Sequence, residues 1–301
     1  MILYIAGAGH SGSSLLDVIL NNHPKIIGTG ELHRLSLNPN TRICSCGELI
    51  NDCPVWRKRI KQLCKEKSLQ LEDWEMSFST TYLRSGSLSN KINDLVYWSN
   101  IDEVIRIFSK LNPFSIGLKK SILNTNAIHE VIKSQENIRI VVDSTKNAIR
   151  MKGLNLFLDA KILFLVRDGR AVTASAIRRG EGNMTKVTKN WTRRMKILTR
   201  LQNKIPSEQL LQIKYEDLCT DPEGIISEIC KYLSVEFLPT MLKIHPGNYH
   251  TIPGNPWLVN DQTSEITIKK DERWRNELTP QQLVEFEKVG GLVNRKLGYV
   301  S

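Results

Sequence analysis

Met1-Ile-Leu-Tyr-Ile-Ala-Gly-Ala-Gly-His-Ser-Gly-Ser-Ser-Leu-Leu-Asp-Val-Ile-Leu20 sets a mostly apolar run, a Gly/Ser loop and a helical pattern end to end. The first residues read as a buried strand, and Leu15, Leu16, Ile19 and Leu20 then recur at helical spacing. Strand, glycine loop and helix start make an anion site, because free backbone N–H groups and the helix dipole face one point. Gly9 and Gly12 let the backbone approach a phosphate, and the Ser11, Ser13 and Ser14 hydroxyls add donors.

Outward from this stretch, strands and helices alternate. Lys25 to Gly30 reads as a short strand ending at Glu31, and a helix is expected near Val55 to Lys65. Another helix is expected over about 118–134. Ile138 to Val142 is a buried strand ending at Asp143-Ser-Thr-Lys146, with a helix over about Asn147 to Phe157. Lys161 to Val166 is a strong strand ending at Arg167-Asp-Gly-Arg170, with Ala171 to Arg179 as its helix. Gln209 to Tyr215 is the last strand; Asp221 and Pro222 start a helix, and a final one runs from about Pro280 to Lys296. This order predicts an α/β fold with a central, mostly parallel β-sheet flanked by helices. Ligands of such sheets bind outside the carboxyl ends of the strands, which puts the glycine loop, Asp143–Lys146 and Arg167–Arg170 along one edge. Residues 1–301 are expected to form one domain, with a helical insertion or lid at about 60–115 that carries weak helical signals over Asp94 to Lys110.

The chain has 301 residues, 41% hydrophobic and 24% charged, and no run reaches a membrane span of about 18 apolar residues. The N-terminus lacks the charged region and cleavage site of a signal peptide, so a cytoplasmic location is expected, with no membrane partner. Lys and Arg number 42 against 31 Asp and Glu, a net charge of +11 that favours polyanionic ligands. No interleaved aromatic and basic repeat suggests nucleic acid. Of six cysteines, Cys44, Cys46 and Cys53 cluster. They lack paired C-x-x-C spacing and no His follows at finger spacing, so they read as reduced thiols in a Trp56-containing loop, with a metal site or regulatory disulfide as the lesser reading.

Gly7-Ala-Gly-His-Ser-Gly12 satisfies the dinucleotide fingerprint, and Glu31 stands about where a ribose-binding acid would. The segment before Glu31 is nevertheless a poor second strand for that fold, carrying Gly28 and Gly30. The nucleoside triphosphate loop G-x-x-x-x-G-K-[ST] half-fits, with Ser13 in place of its lysine, which argues against an ordinary kinase or NTPase. A second constellation separates the readings. Arg167 at a strand end, with Ser175 eight residues on, suits an isolated phosphate. Pairing of Arg167 with Asp168 or another carboxylate is the structural alternative.

Taken together, the chain resembles sulfotransferases that use 3′-phosphoadenosine 5′-phosphosulfate (PAPS). Ala8-Gly-His-Ser-Gly-Ser-Ser-Leu-Leu16 resembles the loop that holds the donor's 5′-phosphosulfate. Val166-Arg-Asp-Gly-Arg-Ala171 with Ser175 resembles the 3′-phosphate motif, as worded in tyrosylprotein sulfotransferases, and Asp143-Ser-Thr-Lys146 resembles a segment of bacterial members. Lys214-Tyr-Glu-Asp-Leu218, the loop from His250 to Gly254-Asn255-Pro256, Asp271-Glu-Arg-Trp-Arg275 and Leu297-Gly-Tyr299 resemble bacterial small-molecule members. The resemblance implies a P-loop-like fold and donor contacts from Gly9, His10, Ser11, Gly12, Ser13, Ser14, Arg167, Ser175, Tyr215, Gly254 and Asn255. It departs twice: His10 stands where the family has Lys or Arg, and Leu258 stands where it has an Arg after Gly-Asn-Pro-x. A His is a full cation only when protonated, so donor affinity is expected to depend on pH.

The resemblance implies in-line sulfuryl transfer to a hydroxyl or amine of a small molecule, driven by positioning and electrostatics. The Ser11–Ser14 backbone amides and His10 are the candidates to surround the sulfuryl group and 5′-phosphate, and Lys146 is the candidate to neutralise the leaving oxygen; the alternative for Lys146 is a surface lysine at a helix start. Glu31, which resembles the catalytic glutamate of tyrosylprotein sulfotransferases, can act as base if its pKa is raised. Its alternative is a salt bridge to Arg34 or a helix cap, with His33 the substitute base and His129 structural. A Rossmann-type oxidoreductase and a non-catalytic nucleotide-binding module stand as the competing functions.

Overall fold

Every residue of β1 (Ile2–Gly7) is buried, and its alternate side chains feed two different cores. Ile2, Tyr4 and Ala6 point to one, Leu3 and Ile5 to the other, so both faces of the strand are covered by helices. The structure, a computed structural model, describes residues 1–35, 42–73, 76–78, 113–245, 249–253 and 266–300. The weak helical pattern over Asp94 to Lys110, Gly254, Asn255 and Leu258 lie outside the described residues.

Four more strands join β1: β2 (Ile26–Gly28), β3 (Ile140–Asp143), β4 (Lys161–Val166) and β5 (Leu210–Lys214). The order is β2-β3-β1-β4-β5 and every pair is parallel, with Leu3 opposite Val142 on one side and Lys161 on the other. A dinucleotide fold sets its second strand beside the first. Here β2 pairs with β3 at the sheet edge, so the glycine loop does not sit in a Rossmann sheet. The three residues of β2 suit an edge, and a Cβ on Gly28 would lie 2.5 Å from Asp17 Oδ1.

On one face pack α1 (Ser13–Asn21), α7 (Tyr215–Thr220) and α8 (Pro222–Leu233), through Leu16, Ile19, Leu218, Ile226 and Ile229. The other face carries α4 (Ala148–Leu158), α5 (Gly169–Arg178) and α6 (Met184–Gln202), through Met151, Val172, Trp191 and Met195. A third apolar cluster joins α2 (Pro54–Lys67) to α3 (Pro113–Glu136) beside β2 and β3. After α9 (Trp274–Glu277), the expected last helix is one run with an inserted π turn: α10 (Pro280–Phe286), Glu287–Gly291 and α11 (Leu292–Lys296). The helix α6 lies in a stretch to which the sequence reading assigned no element.

Candidate active site

The carboxyl ends of β1, β3, β4 and β5 open onto one cavity of about 1360 Å³. Its first wall is the glycine loop. Gly12, at φ 90°, is the N-cap of α1, and no side chain caps that helix. The N–H groups of Ser13, Ser14 and Leu15 therefore have no intrahelical partner, and the first such bond runs from Leu16 N to Gly12 O at 3.1 Å. A side chain at residue 12 would be strained by the positive φ and would collide with the Tyr215 ring. Ser11, unlike its loop neighbours, does not line the cavity; it is buried, and its Oγ has no hydrogen-bond partner among the described residues. Gly9 and Ser14 line the cavity beside it.

The second wall joins β2 to β3. Gly30, at φ 73°, presses its backbone on Ile252, and Glu31 N–H donates to Ile252 O at 2.8 Å. Beyond β3, Asp143 accepts from Thr145 N–H at 3.0 Å and pairs with Arg150 at 2.7 Å, both side chains being fully buried. Burial pushes the Asp143 carboxyl up, but Arg150 holds it below its ordinary range. This anchored turn puts Lys146 in the left-handed region at φ 63° and sends its Nζ to within 2.8 Å of Glu31 Oε1. Lys146 is thus a largely shielded partner of Glu31, not a surface lysine.

Arg34 Nε lies 2.6 Å from the other Glu31 oxygen, so the expected alternative of a Glu31–Arg34 bridge is present together with the Lys146 contact. Burial favours the neutral acid, yet Lys146 and Arg34 pull the Glu31 pKa below the ordinary value. The raised pKa expected of a base is absent. His33, with Nδ1 3.3 Å from Thr145 Oγ1, is pushed down to about 4 by burial, against the pull of Glu31. It is uncharged at neutral pH. His129 is fully buried on α3, where burial lowers it to about 3, as a structural residue.

The third wall is the end of β4. Arg167 donates to His10 O at 2.9 Å and Asp271 O at 3.1 Å, and lies 3.3 Å from Asp271 Oδ2. Its guanidinium sits 4.3 Å from the centre of the Tyr215 ring, and its buried Nε has no partner among the described residues. The carboxylate facing it is Asp271, not Asp168, which caps α5 and pairs with Arg170 at 2.7 Å. Asp271 is held well below the usual carboxylate range, first by Arg273 and then, against burial, by Arg167. Ser175 Oγ is 3.3 Å from His10 Nδ1, and His10 Nε2 is 2.9 Å from Glu181 Oε1. Burial lowers the His10 pKa, with Glu181 opposing, so the imidazole is no standing cation at neutral pH.

The loop, Glu31, Lys146, Arg167, Ser175 and Tyr215 therefore share one cavity, and Tyr215 touches both the glycine loop and Arg167. The sequence reading missed Glu181, Arg193 and Arg194, which also line it. Arg193 and Arg194 come from α6, whose signal was present: Met184, Val187, Trp191, Met195, Leu198 and Leu201 follow helical spacing and are buried. Asp271 and Glu181 carry no local signal, since their partners lie 104 and 171 residues away.

An uncapped helix start, the cations Arg167 and Lys146 and a large cavity at the end of a parallel sheet define an α/β protein whose site has the size and charge for an anionic, nucleotide-sized ligand. Residues 3–239 match the model of the sulfotransferase family, and the chain belongs to that family of enzymes. No curated protein matches the sequence. Among solved structures, the sulfotransferase domain of the olefin synthase of Synechococcus PCC 7002 is 19% identical, with a TM-score of 0.57, over 100% of this chain and 95% of that one. The sulfotransferase domain from the curacin biosynthetic pathway is also 19% identical, with a TM-score of 0.52, over 97% and 96%. These likenesses show the P-loop-like sulfotransferase fold, which fits the five parallel strands. Among the described residues, no helix is long and apolar enough to cross a membrane.

Proposed function

We propose that the protein moves a sulfuryl group from PAPS to a hydroxyl or amine of a small-molecule acceptor. The observation that carries this reading is one cavity with two sets of anion-binding groups at its ends, the α1 N-terminus and Arg167, with Tyr215 against both. A donor with both a 5′-phosphosulfate and a 3′-phosphate needs two such ends. The buried Arg167 Nε, which has no partner among the described residues and belongs to a side chain lining the cavity, fits such an anion. When bound, PAPS supplies an activated sulfuryl group and a good leaving phosphate.

The chain's own groups then have distinct tasks. The N–H groups of Ser13, Ser14 and Leu15 hold the 5′ end, with the Gly9–Gly12 backbone closing around it. Arg167 and Ser175 hold the 3′-phosphate, with Gly254 and Asn255 assigned to the same end by family resemblance. Lys146 Nζ donates to the oxygen that gains charge as the leaving group departs. Glu31, ionised at neutral pH, accepts a hydrogen bond from the acceptor and takes its proton once the new bond has acidified it. His33, uncharged above about pH 4, is the second proton acceptor.

Thermal unfolding with 3′-phosphoadenosine 5′-phosphate (PAP), NAD and ATP tests the ligand. PAP is expected to raise Tm most, and stabilisation by NAD or ATP alone overturns the reading. Donor consumption across an acceptor panel, for wild type and Glu31→Gln, tests the chemistry. A loss of about 10²–10⁴ in kcat supports Glu31 as base, and an unchanged rate removes it. PAP binding without turnover of any acceptor would favour a binding module.

A further inference from the structure

Cys44, Cys46 and Cys53 converge with His250, almost 200 residues away in the chain, so that their ligand atoms all lie within 4.8 Å of one another. His250 Nδ1 is 3.3 Å from Cys53 Sγ and 3.9 Å from Cys44 Sγ. A tetrahedral zinc ion, with Zn–S about 2.3 Å and Zn–N about 2.0 Å, separates its ligand atoms by roughly 3.5–3.8 Å. The observed spacings bracket that range, and the widest pair closes with a contraction of about 1 Å. All six cysteines are free thiols. A disulfide, at about 2.05 Å between sulfurs, would use two thiols and leave the third beside an imidazole without a reason.

The surroundings hold the four groups in place independently of any ion. Ser45, between the first two thiols, donates its hydroxyl to Tyr249 O at 2.6 Å and accepts from Thr251 N–H at 2.9 Å. Ser45 N–H donates to Thr251 O at 3.1 Å, and Trp56 Nε1–H donates to the carbonyl of His250 itself at 2.9 Å. A tight turn bends Cys44 back on Gly47, whose φ is 93°, bringing Cys46 round. Cys53 stands at the N-cap of α2, and both it and Cys44 are fully shielded from solvent.

We infer that Cys44, Cys46, Cys53 and His250 form a Cys3His zinc site that fastens the loop before α2 to the 249–252 segment. Four protein ligands leave no open position, so the site is structural. Binding exchanges three thiol protons for one Zn²⁺, and those protons leave to solvent. Two residues beyond His250, Ile252 donates to Thr29 O at 2.9 Å and accepts from Glu31 N–H at 2.8 Å. The ion thereby steadies the backbone that carries Glu31, at a distance from the chemistry.

Elemental analysis of the full-length protein, purified under reducing conditions, tests the inference without any activity assay. One zinc ion per chain is expected, retained through gel filtration and released by a mercurial thiol reagent. Cys46→Ser and His250→Ala are expected to lose it, while Cys64→Ser and Cys219→Ser keep it. Should the ligand variants fail to fold, wild-type protein grown with cobalt decides. The thiolate-to-cobalt charge-transfer and tetrahedral d–d bands are expected. Their absence, together with no zinc and no rise in Tm on adding Zn²⁺, overturns the inference. So does full zinc retention in Cys46→Ser and His250→Ala, or a disulfide among the three thiols in the protein as purified.

Discussion

The two ends of the cavity are built on different plans. At the glycine-loop end the donors are backbone N–H groups of one continuous stretch, β1 to α1, oriented by helix geometry and a φ of 90° at Gly12. At the Arg167 end a side-chain cation is held by groups from distant parts of the chain: the carbonyls of His10 and Asp271, the Asp271 carboxylate and the Tyr215 ring. The same cavity also holds the Glu31–Lys146 pair, each partner supplied by a different strand end. Among the described residues, no carboxylate is bonded to the N–H groups of Ser13, Ser14 and Leu15. Arg167 has one, so its affinity for an anion is the difference between two bonds.

The largest expected effect lies at the Glu31–Lys146 pair. Lys146→Met should lower kcat for sulfuryl transfer by about 10²–10³, the scale of losing one donor to developing charge. PAP affinity, read by calorimetry, should change far less. The sign of the pH effect follows from Glu31. Lys146 helps hold its pKa down, so the wild-type carboxylate stays ionised to below its ordinary value. Without Lys146 that pKa rises, and the acid limb of the rate profile moves to higher pH. An acid limb that stays in place would detach Glu31 from the reaction.

The Arg167 end is tested next, by a pair of variants. Arg167→Met removes charge-assisted bonds of about 1.5–3 kcal/mol, so PAP should bind roughly 10- to 150-fold more weakly. Asp271→Asn removes the competitor. The carboxylate is about one-fifth exposed, which keeps the ion pair within about 1 kcal/mol, so PAP should bind up to about fivefold more tightly. Weaker binding by Asp271→Asn would recast Asp271 as a support that aims the guanidinium.

The same contrast explains what could be read in advance. The strand, loop and helix at the start, Lys161–Val166 with Arg167, and Asp143–Lys146 are local patterns whose chemistry follows from strand ends in a parallel sheet. The carboxylates that tune them are not local. Nothing near Asp271 announces Arg167, and nothing in Cys44-Ser-Cys46 announces His250. Strand order was equally hidden, since Gly7–Gly12 and Glu31 suit a dinucleotide fold until β2 is seen to pair with β3. By contrast, α6 was legible in its helical spacing, and with it the two arginines that extend the basic wall. The pKa of Glu31 belongs to the hidden class, because Lys146 reaches it only across the fold.

His10 is where the two plans meet, since its backbone carbonyl takes Arg167 while its ring lies between Ser175 and Glu181. Burial, outweighing Glu181, holds its pKa below the ordinary value of about 6.5. At neutral pH and above the loop therefore carries no charge at this position, and His10→Arg adds a permanent one. Titration calorimetry with PAP should show binding up to about fivefold tighter, the scale of one partly exposed charge pair. The gain should be flat above about pH 6.5 and shrink below it, as the wild-type imidazole acquires its own proton. Glu181→Gln removes the group that favours that proton. In that background the gain from Arg should persist to lower pH. A gain that never shrinks on acidification in the wild-type background would mean that the His10 ring carries no charge to the ligand at any pH tested.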